Sequence, residues 1–124
     1  MATKEMKAVE EVSKAKGKYF KLSPQKARLV VDLIRGKNAT RALALLKVTR
    51  KRACGPVAKV LASAIANAKE KQPTIDVDNL YVYRAYVDSG PTKMWKRIRP
   101  TSMLKTMHIM HRHSHITIHL AEKA

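Results

Sequence analysis

The sequence predicts an α+β fold that carries a long arm. Three observations support this prediction. Helical spacing of apolar residues recurs three times within residues 23–72, β-branched and aromatic residues dominate two later segments, and a stretch rich in Lys, Arg, Met and Thr separates those segments at 88–113. A chain of 124 residues has room for one modest hydrophobic core, so we expect one domain.

The N-terminal part is predicted to be an extension followed by an edge strand. Residues 1–16 are polar and rich in Lys, Glu and Ala, which is typical of a flexible segment. The domain is then expected to span residues 17–124. The alternating run Lys18–Leu22 favours a short strand at the edge of a sheet.

Ser23 and Pro24 mark the start of the first predicted helix. Ser23 suits the N-cap, Pro24 suits the first helical position, and the helix should run to about Arg35. Gly36 supplies the left-handed residue that commonly ends a helix. The apolar stripe expected to face the core consists of Leu29, Val30, Leu33 and Ile34.

Two further helices are predicted before residue 73. Thr40 can cap a short helix through Leu46 that buries Leu43 and Leu46, and the basic run 50–52 should then form a turn. The third helix should start near Pro56 and end before Pro73. Its apolar residues repeat at helical spacing, and they are Val57, Val60, Leu61, Ala64, Ile65 and Ala68.

Two segments near the C-terminus read as a pair of strands. Residues 75–87 are β-rich, and we assign their tyrosines, Tyr81, Tyr83 and Tyr86, to the core and sheet. Residues 114–120 place Ile116, Ile118 and Leu120 on one face and polar residues on the other. The connection 88–113 is too long for a tight turn, so we expect it to project as an extended hairpin arm that becomes ordered against a partner.

The formal net charge of +17 is uneven along the chain. Residues 17–52 hold eleven basic residues against one acid, residues 53–92 are balanced, and residues 93–124 hold seven against one. Because such a density of charge repels itself, the chain is expected to bind a polyanion, and nucleic acid is the commonest one. The lone Cys54 and the absence of an apolar stretch long enough to cross a membrane fit a cytoplasmic protein with no membrane partner.

Catalysis and cofactor binding receive little support. The nine acidic residues show no spacing typical of a catalytic pair, and the sequence has no glycine-rich loop that could bind a phosphate. No residue near Cys54 in sequence is a candidate for the base that would activate its thiol. His113, His115 and His119 share a strand face, and such spacing can ligate zinc, but the pattern includes no carboxylate or cysteine. We therefore predict no enzyme, no cofactor, no metal and no small-molecule substrate, and interpret these imidazoles as neutral or facing the polyanion.

Four motifs occur in an order that resembles a known family. They are Ser23-Pro24-Gln25-Lys26-Ala27-Arg28-Leu29-Val30-Val31-Asp32-Leu33-Ile34-Arg35-Gly36-Lys37, Ser63-Ala64-Ile65-Ala66-Asn67-Ala68, Val87-Asp88-Ser89-Gly90-Pro91 and Ser114-His115-Ile116-Thr117. Together they are similar to the bacterial type of the large-subunit ribosomal protein family numbered twenty-two.

The resemblance implies three helices on a small antiparallel three-stranded sheet with a long β-hairpin arm. It also implies a structural constituent of the large ribosomal subunit that binds large-subunit rRNA, aids assembly and touches neighbouring ribosomal proteins. In this family the arm threads between rRNA domains, and its tip lines the nascent-peptide exit tunnel. The corresponding tip here, which would meet the nascent peptide, is Thr101, Ser102, Met103, Leu104 and Lys105.

This sequence departs from the family pattern at the arm. Members usually continue after Arg-Pro with an arginine- and glycine-rich stretch, whereas Arg99-Pro100 is followed here by Thr, Ser, Met and Leu, and only Lys105 is formally positive from Thr101 to Met110. We therefore expect RNA attachment to depend on the domain and the limbs of the arm. The tip is expected to act by shape, because methionine adapts to varied apolar neighbours.

The expected RNA contacts combine the basic blocks with residues of the arm and of the returning strand. Trp95 could stack on an unpaired base or pack against the opposite limb of the arm. The full set is Lys18, Lys21, Ser23, Lys26, Arg28, Arg35, Lys37, Arg50, Lys51, Arg52, Lys93, Trp95, Lys96, Arg97, Arg99, Lys105, Arg112, His113, Ser114 and His115. The alternative function is a free-standing basic nucleic-acid-binding or architectural protein.

Overall fold

The computed structural model describes residues 9–92 and 96–123. The elements in chain order are β1 (Glu11–Phe20), α1 (Pro24–Ile34), α2 (Ala39–Val48), α3 (Cys54–Lys71), β2 (Leu80–Ser89), β3 (Lys96–Pro100), β4 (Thr106–Met110) and β5 (Ser114–Glu122). An antiparallel sheet has the strand order β1-β5-β2, and β3 pairs with β4 as a separate hairpin. The predicted α+β class with three helices, a three-stranded sheet and a hairpin is confirmed.

The helices cover one face of the sheet and enclose the core. α3 packs against β1 and β5, α1 packs against β2, and α2 packs on α3. Ile116, Ile118 and Leu120 of the central strand are fully buried on this face, as the alternation predicts. The six apolar residues predicted for the third helix are also all buried.

The prediction of a flexible extension is wrong for residues 11–16. These residues form the first part of β1 and pair with β5, from Glu11 opposite Ala121 to Lys16 opposite Thr117. The buried positions of this segment are the small residues Ser13 and Ala15, so the hydrophobic alternation was weak in sequence. The Ser13 hydroxyl donates to the Ala64 carbonyl at 2.8 Å. Residues 1–8 lie outside the described residues.

Helix α1 begins and ends where predicted, but the face it buries is different. Its buried residues are Pro24, Ala27, Val30, Val31 and Ile34, at helical spacing. Leu29 and Leu33, which we expected in the core, are 56% and 41% exposed. Val30 and Ile34 are buried as predicted, but Ala27 and Val31 take the place of the two leucines, because the position of a stripe around a helix depends on the partner surface. Gly36 has the expected positive φ of 76°.

Two local predictions need correction. The N-cap of α2 is Asn38 and not Thr40, because the Asn38 side chain accepts from the Thr40 amide at 2.9 Å. The strand expected over residues 75–87 begins only at Leu80, after a short helical turn, and its tyrosines do not belong to the core. Tyr83 is exposed, and Tyr86 is half-buried and stacks on His119 on the helix-free face.

Helix side chains cover the free edges of both outer strands. On β2, the Arg28 guanidinium donates twice to the Val87 carbonyl, at 3.0 and 3.2 Å, and Arg35 donates twice to the Ala85 carbonyl, at 2.8 and 3.3 Å. On β1, two side chains of α3 act in the same way. The side-chain amide of Asn67 donates to the Lys14 carbonyl at 3.0 Å, and Lys71 Nζ donates to the Val12 carbonyl at 3.3 Å. Further strand pairing at these positions is therefore blocked.

The substitution Arg28→Ala removes both donors from the Val87 carbonyl. We expect it to lower the free energy of unfolding by roughly 1–2 kcal/mol, since hydrogen bonds from charged groups contribute somewhat more than neutral ones and this site is only partly buried. The control Arg41→Ala removes an exposed arginine of α2. It should change the free energy of unfolding by less than about 0.5 kcal/mol. Urea unfolding measures both values, and an equal loss in both variants would contradict the edge-covering role.

Candidate nucleic-acid interface

Two concavities that share four residues open around the first turn of α1. The larger, the arm-base groove, has a volume of about 720 Å³, and it is lined by Lys21, Leu22, Ser23, Arg52, Lys96, Arg97, Met110, His111, Arg112 and His113. The smaller, the α1 pocket, has a volume of about 370 Å³, and it is lined by Lys21, Leu22, Ser23, Lys26, Leu29, Lys51, Arg52 and Ala53.

The fold assembles these concavities from three distant segments. Residues 21–23 connect β1 to α1, residues 49–53 connect α2 to α3, and the base of the arm contributes the start of β3 and the residues after β4. The buried Leu22 anchors the first segment to the core. Basic residues that are far apart in sequence therefore meet at one surface.

The charge at this surface has a single sign. Among the described residues that line the two concavities, seven are cationic and none is acidic; the cationic ones are Lys21, Lys26, Lys51, Arg52, Lys96, Arg97 and Arg112. α1 adds to this field, since its first turn has no acidic residue and Ser23 makes no side-chain capping bond. The helix dipole thus presents an uncompensated positive end beside the lysines. Such an arrangement favours a polyanion that can contact several cations at once.

The arm exposes both of its faces. β3 and β4 pair in register from Lys96 opposite Met110 to Pro100 opposite Thr106, and every side chain of β3 is exposed. Arg97 and Arg99 share one face with the apolar side chains opposite them, while Ile98 lies on the other face. A two-stranded hairpin of this kind has no core to support it in water.

The five residues predicted as the tip form the hairpin loop. The Thr101 amide and hydroxyl both donate to the Lys105 carbonyl at 2.8 Å, which closes the loop. Met103 and Leu104 have φ values of 61° and 57°, a left-handed conformation that is uncommon for residues with such side chains. Met103 is 87% exposed and Leu104 is fully exposed, so the end of the arm is apolar.

Several residues expected to contact RNA have structural partners in the fold. Arg28 and Arg35 bond to β2 carbonyls, and Arg35 also pairs with Asp32 at 2.7 Å. His113 and Ser114 are buried, so their side chains offer little surface to a ligand. His115 is half-buried, and its Nδ1 accepts from the amide of Tyr19, whose own φ is 58°. These five residues support the sheet and the base of the arm.

Other predicted contacts are exposed but lie outside the two concavities. Lys18 is on β1, Arg50 lies in the connection between α2 and α3, and Arg99 and Lys105 belong to the arm. Lys37 lines a third concavity of about 1060 Å³ together with Arg41, Lys123 and Asp78. Lys93 and Trp95 lie outside the described residues.

The helix-free face of the sheet carries cations that we did not predict. Lys14 and Lys16 of β1 are exposed, and the Arg84 guanidinium lies 5.3 Å from the centre of the Tyr86 ring. Lysines alternate at positions 14, 16 and 18, which indicates one face of a strand. This pattern was missed because residues 1–16 were predicted to be a flexible extension. His119 on this face pairs with Glu11 at 2.9 Å, a carboxylate neighbour that only strand pairing brings close.

The described part of the chain shows neither a metal site nor a membrane-spanning helix. Within residues 9–92 and 96–123, no group of three or more His, Cys, Asp or Glu side chains could hold a metal ion. No helix among these residues is both long and apolar enough to span a bilayer.

Comparison with known proteins identifies the family. The model of the family described as Ribosomal protein L22p/L17e matches residues 15–121, from β1 through the arm to β5. The chain belongs to this family. The predicted resemblance is thereby confirmed.

The alignments with curated relatives span most of this chain and most of each relative. Each of these relatives is named large ribosomal subunit protein uL22. The relative from Solibacter usitatus is 50% identical over 110 residues, which is 89% of this chain and 96% of the relative. The relative from Desulfitobacterium hafniense is 51% identical, and the alignment spans 90% of this chain and 95% of the relative. The relative from Clostridium novyi is 46% identical, and the alignment spans 90% of this chain and 98% of the relative. The family is one of large-subunit ribosomal proteins, which are structural and not enzymes.

The double substitution Lys26→Glu with Arg52→Glu reverses charge at the two concavities. For binding to polyuridylic acid, the slope of log K against log salt should become shallower by at least about 1.4, because each lost phosphate contact on a single strand contributes about 0.7. The matched control, Lys59→Glu with Lys69→Glu, makes the same charge change at exposed sites on α3. Fluorescence anisotropy at several salt concentrations measures the slopes, and equal slopes for the two variants would disprove a localised interface.

Proposed function

We propose that this chain binds large-subunit rRNA as a structural constituent of the large ribosomal subunit, aids its assembly and lines the nascent-peptide exit tunnel with its arm. The observation that carries the proposal is the continuity of an acid-free basic surface at α1 with the base of a hairpin that is exposed on both faces. The ribosome in the cytoplasm is the corresponding location.

The globular domain is the part that docks. Arg52, Arg97 and Arg112 can each bridge two phosphate oxygens, while the lysines act as point charges. Contacts of this type position a protein on RNA without reading sequence. Because the cations come from three segments, the folded domain presents a fixed arrangement of charge to RNA that has reached a matching shape.

The arm requires a partner on each face. Its five-residue strands leave Ile98 and Met107 more than half exposed on opposite faces, and apolar surface of this kind favours contact. Insertion between two RNA segments would cover both faces at once, with Arg97 and Arg99 meeting the phosphates of one segment. The arm would thus join segments of rRNA during assembly, alongside contacts with neighbouring ribosomal proteins.

The tip is suited to contact by shape. The side chains of Met103 and Leu104 are almost entirely exposed, and the loop carries one cation, Lys105. A nascent peptide passing this loop would meet a flexible apolar surface.

Sedimentation separates this proposal from a free-standing nucleic-acid-binding protein. The chain, expressed with an epitope tag in its source cell, should sediment with large subunits in a sucrose gradient and remain with them after a moderate salt wash. Contacts that are buried within folded RNA exchange slowly, whereas an electrostatic surface binder is released by salt. Recovery in the low-density fractions after the wash would favour the free-standing alternative.

The double substitution Met103→Arg with Leu104→Arg tests the tip. We expect subunit yield to stay close to that of the wild type, because the tip supplies little of the attachment to RNA, while peptide-dependent stalling and sensitivity to tunnel-binding antibiotics should change several-fold. A matched control, Gln72→Arg with Thr74→Arg, adds the same charge at exposed sites on the domain. Ribosome profiling and growth inhibition provide the measurements. Unchanged stalling and sensitivity in the tip variant would remove the tunnel role.

A further inference from the structure

The α1 pocket has an apolar floor that contacts to phosphate do not explain. Leu22 and Ala53 are buried core residues that also line the pocket, and Leu29 lines it from the exposed face of α1. A phosphate needs cations and N–H groups, and it gains nothing from leucine side chains. The floor therefore indicates a ligand that carries an apolar surface as well as negative charge.

The size of the pocket limits that ligand. Its volume of about 370 Å³ lies at the small end of the range for sites that enclose one small organic molecule. A double helix cannot enter such a space, because its bases are stacked inside and only its backbone faces outward. An unpaired nucleotide can enter, since its base is free to leave the stack.

The charges around the pocket suit a polymer of phosphates. Lys21 precedes α1 and Lys26 lies in its first turn, Lys51 and Arg52 lie on the loop before α3, and none of the described residues that line the pocket is acidic. The shared residues Lys21 and Arg52 continue into the arm-base groove, where Lys96, Arg97 and Arg112 follow. A strand leaving the pocket would therefore meet further cations, which matches the regular charge of a nucleic acid better than that of a peptide.

We propose that the α1 pocket holds one unpaired nucleotide of RNA, with its base against Leu22, Leu29 and Ala53 and its flanking phosphates at the basic rim. This inference rests on the proposed function and adds to it a specific mode of recognition. The globular domain then does more than attach to backbone. It selects a place where the RNA has an unpaired nucleotide beside a phosphate path that leads to the arm.

Two serine substitutions on one helix provide the test. Leu29→Ser removes an apolar side chain from the pocket. The control Leu33→Ser makes the same change one helical turn further along, at an exposed leucine that lines neither concavity. Both residues are on the surface, so we expect both variants to fold, and circular dichroism with thermal unfolding checks this.

The full-length wild-type chain and both variants are bound to deproteinised large-subunit rRNA from the source cell, and 2′-hydroxyl acylation is read at every nucleotide. The wild-type chain should suppress the reactivity of one or two unpaired nucleotides several-fold. Leu29→Ser should restore reactivity at those nucleotides alone and weaken binding roughly three- to tenfold, as expected for the loss of one apolar contact. Leu33→Ser should behave as the wild type.

The outcomes separate this inference from the proposed function. If the wild-type chain protects no nucleotide, rRNA binding itself fails. If it protects RNA but Leu29→Ser leaves the pattern unchanged, or Leu33→Ser alters it equally, the pocket does not hold a nucleotide and RNA binding stands. If Leu29→Ser instead releases a neighbouring ribosomal protein from reconstituted subunits with an unchanged RNA pattern, the occupant is a peptide and the inference is overturned.

Discussion

The pairing of β2 with β5 is the constraint on which the rest of the structure depends. These strands are adjacent and antiparallel up to the pair Ser89 and Ser114, and the Gly90 amide then donates to the His113 carbonyl at 2.7 Å. Residues 91–112 must therefore leave and return at a single point of the sheet. A Cβ at Gly90 would lie 2.9 Å from that of His113, so a side chain at this position would push the two limbs apart. Strand pairing thus fixes where the arm begins and brings its base beside α1.

Positive charge has two separate uses in this fold. The guanidinium groups of Arg28 and Arg35 cover carbonyls at the edge of β2, and they contribute to stability whether or not a ligand is present. None of the described residues that line the two concavities at α1 is acidic, so the cations there repel one another and this repulsion disfavours the free protein. Binding of a polyanion relieves this repulsion, so docking and stabilisation of the domain are physically coupled.

Apolar surface is divided in a similar way. The helix-facing residues of β5 and the inner faces of α1 and α3 form the core, whereas Leu29, Ile98, Met103 and Leu104 remain exposed. The proposed nucleotide in the α1 pocket and the proposed insertion of the arm both cover such surface. At the α1 pocket and along the strands of the arm, cations adjoin the apolar side chains, which suits a ligand whose phosphates and bases lie side by side.

The sequence by itself determined the α+β class, the bounds of α1, the buried face of α3, the alternation of β5, the position of the hairpin and the family. Each of these depends on local periodicity, on helix and turn residues, or on motifs that are contiguous in the chain. Only the tertiary structure decided that residues 11–16 form a strand, that Leu29 and Leu33 face outward, and that Arg28 and Arg35 cover a sheet edge. It also decided that Lys21, Arg52 and Arg97 meet at one surface. These features arise from packing between segments that are distant in sequence, and the pattern within one segment does not specify the surface against which that segment packs.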